Sequence, residues 1–242
     1  MNKYFNKFAF TLAEVLITLG IIGIVSAMTL PSIVASHRKE VLKAEFKKTY
    51  NELQRINLSF IKDEGMNICE YNWMLVESGI AVMTASKQTA DKFIKYYSGT
   101  KGIPKAKWLT DVKTLTGEKA DVSMFDDGSV YNLQKKTFYF EYGTPTTSKC
   151  PVITIDINGH YKKPNQLGID MFAFRATKNG KVIAMGNPET KRDSANGSGG
   201  TNLIECSITS ASTRNGMGCA YWASLDISPL DNKKSYWKDF IK

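Results

Sequence analysis

From Val15 to Ser36 the chain runs 22 residues without a charged side chain, VLITLGIIGIVSAMTLPSIVAS. About 20 helical residues cross a hydrocarbon core of ~30 Å, so this stretch has the length and polarity of a membrane span. One carboxylate, Glu14, sits just inside its start, as the only charge between Phe10 and Val34. An acidic side chain at mid-bilayer costs roughly 2.5–3.5 kcal/mol on insertion scales. A carboxylate in this place therefore calls for a partner.

After Ser36 the pattern becomes amphipathic. Leu42, Phe46, Thr49/Tyr50, Leu53, Ile56 and Phe60 recur every three or four residues, which is helical spacing. Lys39, Lys43, Lys47, Lys48, Glu52 and Arg55 mostly fall elsewhere on the wheel, and no proline or glycine interrupts until Gly65. The pattern predicts one helix from Phe10 to about Glu64, roughly 80 Å long at about 1.5 Å per residue. Pro31, with Gly20 and Gly23 upstream, predicts a kink or local melting. The half over residues 37–64 should dock on a folded head, while the half over residues 10–36 stays bare.

The head, residues 65–242, is long enough to bury a core as one domain. Lys87–Tyr97 reads as a short helix ended by Ser98-Gly99, and residues 101–120 read as loop. From residue 121 the period becomes strand-like. Val122–Phe125 and Val130–Leu133 flank a turn at Asp126-Asp127-Gly128-Ser129; Thr137–Tyr142 and Val152–Ile157 are β-branched or aromatic runs. Phe172–Thr177 and Lys181–Met185 flank Asn179-Gly180, a strong hairpin signal. The expected class is α+β, with an antiparallel sheet of about four to six strands. Residues 186–202 form a polar Gly/Ser/Asn-rich loop. The aromatic, basic end (Tyr221, Trp222, Tyr236, Trp237, Phe240) reads as a terminal strand and tail packing on the head.

Three readings of the N-terminal segment compete. A cleaved secretory signal would use Val25-Ser26-Ala27, but the apolar run is long for one and Glu14 interrupts it. A plain signal anchor leaves Glu14 unexplained. The third reading starts from Ala9-Phe10-Thr11-Leu12-Ala13-Glu14-Val15-Leu16. This string resembles the processing site of type IV prepilins and type II secretion pseudopilins. The resemblance covers about the first 35 residues. It implies a basic leader over residues 1–9, cut on the cytoplasmic side between Ala9 and Phe10 by prepilin peptidase, which also methylates the new amino terminus. Two residues depart from the usual pattern: Ala9 stands where glycine is common, and Ala13 replaces a larger aliphatic. Glu14 falls at the family's fifth mature position and Pro31 at the twenty-second, where many pilins carry a proline. Lys3 and Lys7 favour a cytoplasmic N-terminus, although Arg38, Lys39 and Lys43 just past the span blunt that asymmetry.

In an isolated helix Glu14 would be unpaired in lipid or driven to its neutral form. In a filament, the Phe10 amine of one subunit could meet the Glu14 carboxylate of the next and set the axial register. The resemblance also implies a pilin-like fold, a long N-terminal helix packed on an antiparallel sheet.

Cys69, Cys150, Cys206 and Cys219 are four in number, with no CxxC spacing. An extracytoplasmic head would oxidise them, and four cysteines allow three pairings. The resemblance selects Cys206–Cys219, the disulfide-bounded C-terminal region of many pilins, leaving Cys69–Cys150. Asp156, Asn158, Asn165 and Asp170 lie in DINGHYKKPNQLGID. Two readings of that run stand open. In one, Asn-Gly and Pro-Asn make turns and the two aspartates accept from backbone amides. In the other, the oxygens hold calcium, as C-terminal loops do in some type II pseudopilins, although the EF-hand spacing is absent and Lys162 and Lys163 would oppose a cation.

Catalysis gains little support. The two histidines, His37 and His160, sit at the membrane edge and in a turn, and no P-loop, G-x-S-x-G, H-E-x-x-H or dinucleotide fingerprint occurs. Ser59-x-x-Lys62 lacks companion motifs. The net charge is +9, of which residues 1–50 carry +4 from seven basic and three acidic side chains. That share suits anionic headgroups. Lys95, Lys101, Lys105 and Lys107 read as a solvated face rather than a nucleic-acid patch.

The sequence thus predicts a non-enzymatic subunit of a type II secretion pseudopilus or a type IV pilus. The alternatives are a membrane-anchored extracytoplasmic binding or enzymatic domain and, within the pilin class, a minor pilin for DNA uptake or adhesion. The expected partners are prepilin peptidase, other pilin or pseudopilin subunits and an inner-membrane assembly platform. The protein would first reside as a single-pass protein in the inner membrane, head outside, and then in the pilus or pseudopilus.

Overall fold

A computed structural model describes residues 11–97, 111–121, 130–133, 135–141, 150–159, 161–187 and 205–241. Its contacts divide the chain into two units, Met1–Val41 and Leu42–Lys242. A single helix, α1 (Leu12–Glu64), begins in the first unit and ends in the second. It runs unbroken through Pro31, so the local melting expected there does not occur.

In the second unit α1 is amphipathic, and its apolar stripe is buried. Leu42, Phe46, Thr49, Leu53, Ile56 and Phe60 are all buried, as the 3.6-residue period predicts. Two short helices follow, α2 (Ile68–Glu77) and α3 (Val82–Ile94). The Asn67-x-x-Glu70 capping box starts α2: the Asn67 side chain accepts from Cys69 N and Glu70 N, and Glu70 accepts from Asn67 N. Helix α3 begins five residues before and ends three residues short of the expected Lys87–Tyr97.

Among the described residues five strands form one antiparallel meander: β1 (Val130–Leu133), β2 (Lys136–Glu141), β3 (Val152–Asp156), β4 (Met171–Ala176) and β5 (Val182–Ala184), paired in that order. Strand β1 pairs antiparallel with β2, with Leu133 opposite Lys136 and Val130 opposite Tyr139. The expected strand Val122–Phe125 and its turn lie outside the described residues. The β4–β5 hairpin turns at Asn179-Gly180 as expected, with Gly180 at φ +72 and Thr177 N donating to Lys181 O at 2.8 Å.

Side chains alternate between two packed faces of the sheet. Phe138, Phe140, Ile153, Ile155, Phe172 and Phe174 join the buried stripe of α1 in the main core. Tyr139, Val152, Met171 and Ala173 face the other way, into a second cluster with Val112, Ala120, Leu167, Met185 and Met217. Both faces are therefore covered, and β2, β3 and β4 read as continuously buried runs.

Polar side chains fix where α1 lies on the sheet. Gln54 donates to Val182 O, and Asn57 donates to Gly180 O at 2.8 Å. The first bond occupies a carbonyl on the edge strand β5, and the second one in the β4–β5 turn. Lys136, 3% exposed, reaches Glu52 at 2.8 Å, and Tyr97 OH donates to the same carboxylate at 2.6 Å. Burial raises the Glu52 pKa, but the bonds from Lys136 and Tyr97 outweigh it and hold the carboxyl below its ordinary value.

The C-terminal region packs on the head as expected, but not as a strand. Helix α4 (Cys219–Leu225) is followed by a π-turn over Tyr236–Phe240. Asp226, in the left-handed region at φ 55, joins three segments: it accepts from Ser235 Oγ at 2.6 Å and Trp237 N at 3.2 Å, and pairs with Lys43 at 2.6 Å. Trp237 then packs on Phe46 and Phe172, with both ring centroids at 5.6 Å. A strand was the wrong expectation because these aromatics fill the helix side of the core rather than a sheet edge.

A depressed carboxylate contributes stability above its ordinary pKa and loses it as pH falls through the folded-state value. Lys136→Met should therefore lower the unfolding free energy by about 2 kcal/mol at neutral pH. The difference from the unmutated chain should narrow as acid protonates Glu52. Urea titrations of both proteins across pH check this.

Candidate functional site

The first unit presents an apolar helix surface. Leu12, Leu16, Ile17, Leu19, Ile21, Ile22, Ile24, Met28, Leu30 and Ile33 are each more than half exposed, and none of the most apolar 18-residue window is buried within the chain. The core helix of a water-soluble protein would have buried such side chains. This helix is long and apolar enough to cross a membrane. Three of its hydroxyls are turned inward: Thr18 donates to Val15 O, Thr29 to Val25 O and Ser32 to Thr29 O, each at 2.9 Å. Such back-bonding removes polar groups from the surface that lipid or another helix would meet.

Glu14 is tied to the start of this helix. Thr11 N and Thr11 Oγ1 both donate to Glu14 Oε2 at 2.8 Å, and Glu14 N donates to Thr11 Oγ1 at 3.2 Å. Thr11-Leu12-Ala13-Glu14 is thus a capping box, which occupies amides that the first turn leaves without helical acceptors. Thr11-x-x-Glu14 carries the [ST]-x-x-[DE] capping signature in the sequence itself. Ala9 and Phe10, the expected processing residues, lie outside the described residues.

In the second unit, the β3–β4 connection brings together all four oxygen-bearing residues singled out in the sequence. Asp156 closes β3, and its Oδ1 accepts from Asn158 N at 3.2 Å and Gly159 N at 2.9 Å. Asp170 directly precedes β4. Its Oδ1 accepts from Gln166 N at 2.7 Å, and its Oδ2 accepts from Asn165 N and Asn158 Nδ2, both at 3.1 Å. These are the amide contacts of the turn reading. Asn165 at φ 53 and Gly159 at φ 83 give the loop its sharp bends. A Cβ at Gly159 would lie 2.5 Å from Lys135 O, so only glycine lets the loop approach the backbone just before β2 this closely.

Asp156, Asn165 and Asp170 are fully buried. Asp156 Oδ2 and Asn158 Oδ1 are buried without a hydrogen-bond partner. Burial first, then the charge of Asp170, push the Asp156 carboxyl up to about 8 against the two backbone amides that lower it. Lys163, expected to oppose a cation here, is engaged by Asp111. Among the described residues no three His, Cys, Asp or Glu side chains converge on a metal position.

Both cysteine pairs lie at disulfide distance, Cys69–Cys150 with Cα atoms 4.4 Å apart and Cys206–Cys219 at 4.8 Å. The first joins α2 to the residues just before β3. The second joins the segment after residue 205 to the start of α4. His37 is exposed on α1, while His160, Lys101, Lys105 and Lys107 lie outside the described residues.

Asp170→Ala would strand three donors, Asn165 N, Gln166 N and Asn158 Nδ2. The expected loss is about 3 kcal/mol or more of unfolding free energy by urea titration. Asp170→Asn, which keeps an acceptor, should lose less.

No family model, curated protein or solved structure matches this chain.

Proposed function

We propose that this chain is a pilin-like structural subunit of a type II secretion pseudopilus or a type IV pilus. The observation that carries the reading is the continuity of α1. One helix has an exposed apolar circumference in its first unit and a buried amphipathic stripe in its second. A membrane anchor needs only the first property. A helix that continues without break into the core of a folded head suits a subunit drawn from lipid into a bundle of like helices.

On this reading prepilin peptidase cuts between Ala9 and Phe10 and methylates the new amine. An inner-membrane assembly platform then passes the subunit from the membrane to the pilus. The Phe10 amine of one subunit meets the Glu14 carboxylate of its neighbour, which neutralises two charges that neither lipid nor helix bundle can solvate. The Thr11–Glu14 capping box is compatible with this role, because a carboxylate offers about four acceptor sites. The cap holds Glu14 at the helix start and orders it before the partner arrives. The head contributes no chemistry to assembly and sets which siblings fit.

Two substitutions separate capping from charge pairing. Glu14→Gln keeps an acceptor for Thr11 but removes the charge, and Glu14→Ala removes both. Both variants should accumulate as membrane-inserted monomers resistant to carbonate extraction. Both should lose subunit-to-subunit cross-links by about tenfold or more, since ~1.4 kcal/mol is tenfold in an equilibrium constant. Normal assembly of Glu14→Gln would reduce Glu14 to a helix cap and remove the charge latch from the proposal.

A further inference from the structure

We propose that the loop over residues 227–234 docks on a lipid surface, with Leu225 and Leu230 as its apolar contacts. The lipid is that of the membrane which the apolar part of α1 is long enough to cross. The inference rests on that membrane-spanning reading and not on pilus assembly.

The first support is the order of contacts along α1 in the Leu42–Lys242 unit. Lys43 pairs with Asp226 at 2.6 Å, and Phe46 packs on Trp237 with ring centroids 5.6 Å apart. Gln54 and Asn57 then reach Val182 and Gly180 of the β4–β5 hairpin. Phe60 meets Tyr71 and Phe93, and Glu64 pairs with Lys92. The segment around Asp226 therefore lies where α1 enters the unit, ahead of the sheet and of α2 and α3. Lys43 follows Ser36, the last residue of the charge-free run, by seven positions of one helix. Seven helical residues span about 10 Å. Headgroups add roughly 5–8 Å to each side of the ~30 Å hydrocarbon core. The chain itself thus keeps Asp226 and its loop within reach of the headgroups.

The second support is what this segment presents. Leu225 is 49% exposed and Leu230 63%. Tyr221 and Trp222 are half-buried and share a face of α4 with Leu225, opposite the buried Cys219, Ala220 and Ala223. Tyrosine and tryptophan favour the membrane–water interface. The loop is also braced. Ser228 N donates to Lys234 O at 2.9 Å and Lys234 N to Asp231 O at 3.0 Å. Leu230 N donates to Ser228 Oγ at 3.2 Å, and Lys233 N to Asp231 Oδ1 at 3.0 Å. Pro229 has no amide to satisfy. Backbone groups bonded internally leave water at little cost, and a braced loop has little freedom to lose on docking.

Position, rather than charge, selects lipid as the occupant. Residues 225–241 set Lys233, Lys234 and Lys238 against Asp226, Asp231 and Asp239, so the segment is neutral and apolar contact carries the docking. Tethering by α1 makes that contact intramolecular, so a weak intrinsic affinity suffices. A second copy of the chain would also cover two leucines, yet lipid is present wherever the span is inserted and needs no encounter.

The test uses the full-length chain with a nitroxide on one introduced cysteine, reconstituted at low density in phosphatidylcholine vesicles with and without phosphatidylglycerol. Collision with oxygen, which concentrates in lipid, and with a water-soluble nickel chelate reports depth by electron paramagnetic resonance. A label at Leu230→Cys should favour oxygen in both vesicle types. A label at Leu58→Cys, exposed on the docked half of α1, should favour nickel. A label at Met28→Cys tests the span by itself. Adding Leu230→Asp should move a label at Leu225→Cys from oxygen towards nickel; no movement would assign the lipid signal to the nitroxide and overturn the proposal. Nickel preference at Leu230 with oxygen preference at Met28 would overturn the docking and leave the span. Nickel preference at both would overturn the span, and the docking with it. Spin–spin broadening at Leu230 that grows with protein density would assign the leucines to a second copy and overturn the lipid contact.

Discussion

A helix that is apolar on every side has no stable place in water. From Leu12 to Val34 this chain has such a helix, with the hydroxyls of Thr18, Thr29 and Ser32 bonded back to the backbone and its one carboxylate folded onto Thr11. The segment must be covered by lipid or by other helices, because nothing within its own unit covers it. Burial of exposed apolar surface stabilises by about 25 cal/mol per Å², so either cover is strongly favoured over water. The rest of the chain accommodates this requirement. The helix changes character near Val41, where its polar residues gather on one side and its apolar residues narrow to a stripe.

That stripe organises the head. Phe46 sits among Tyr50, Phe172, Phe174 and Trp237, so one α1 residue touches strand β4 and the C-terminal π-turn together. Apolar packing alone would allow the helix to slide by a turn. Gln54, Asn57 and Glu52 prevent this by bonding β5, the β4–β5 turn and Lys136 at fixed positions. Lys43 does the same at the C-terminal side through Asp226. The two cysteine pairs join segments that the sheet does not hold by ladder bonds.

Features with a strong repeating signal were legible in the sequence. The stripe of α1 follows a 3.6-residue period for more than five turns, and the β4–β5 turn has the Asn-Gly pair that positive φ favours. Helix α2 was not read because ten residues give too few periods; only its Asn67-x-x-Glu70 cap marked it. The β1–β2 turn was missed because Lys135 takes φ +70 without being glycine. Coverage of the sheet's second face by Val112, Ala120 and Met217 depends on distant segments and leaves no local pattern. In the β3–β4 loop, residue types pointed to turns or calcium. Only the fold shows Asn158 linking Asp156 to Asp170, and which oxygens remain unmet. Thr11-x-x-Glu14 carries a capping signature, but the same carboxylate at the head of an apolar run also fits a charge that awaits a partner, and the sequence alone does not separate the two roles.

On the proposed reading the helix has two successive covers, lipid first and sibling subunits later, and Glu14 is the group whose partner changes between them. That exchange requires a free amine at Phe10, which exists only if the leader is removed. Intact-mass and N-terminal peptide mass spectrometry of the protein from its native membrane tests this directly. The account predicts a chain that starts at Phe10 with one N-methyl group. A chain that retains Met1, or one that starts at Met28 after a signal-peptide cut, would contradict it.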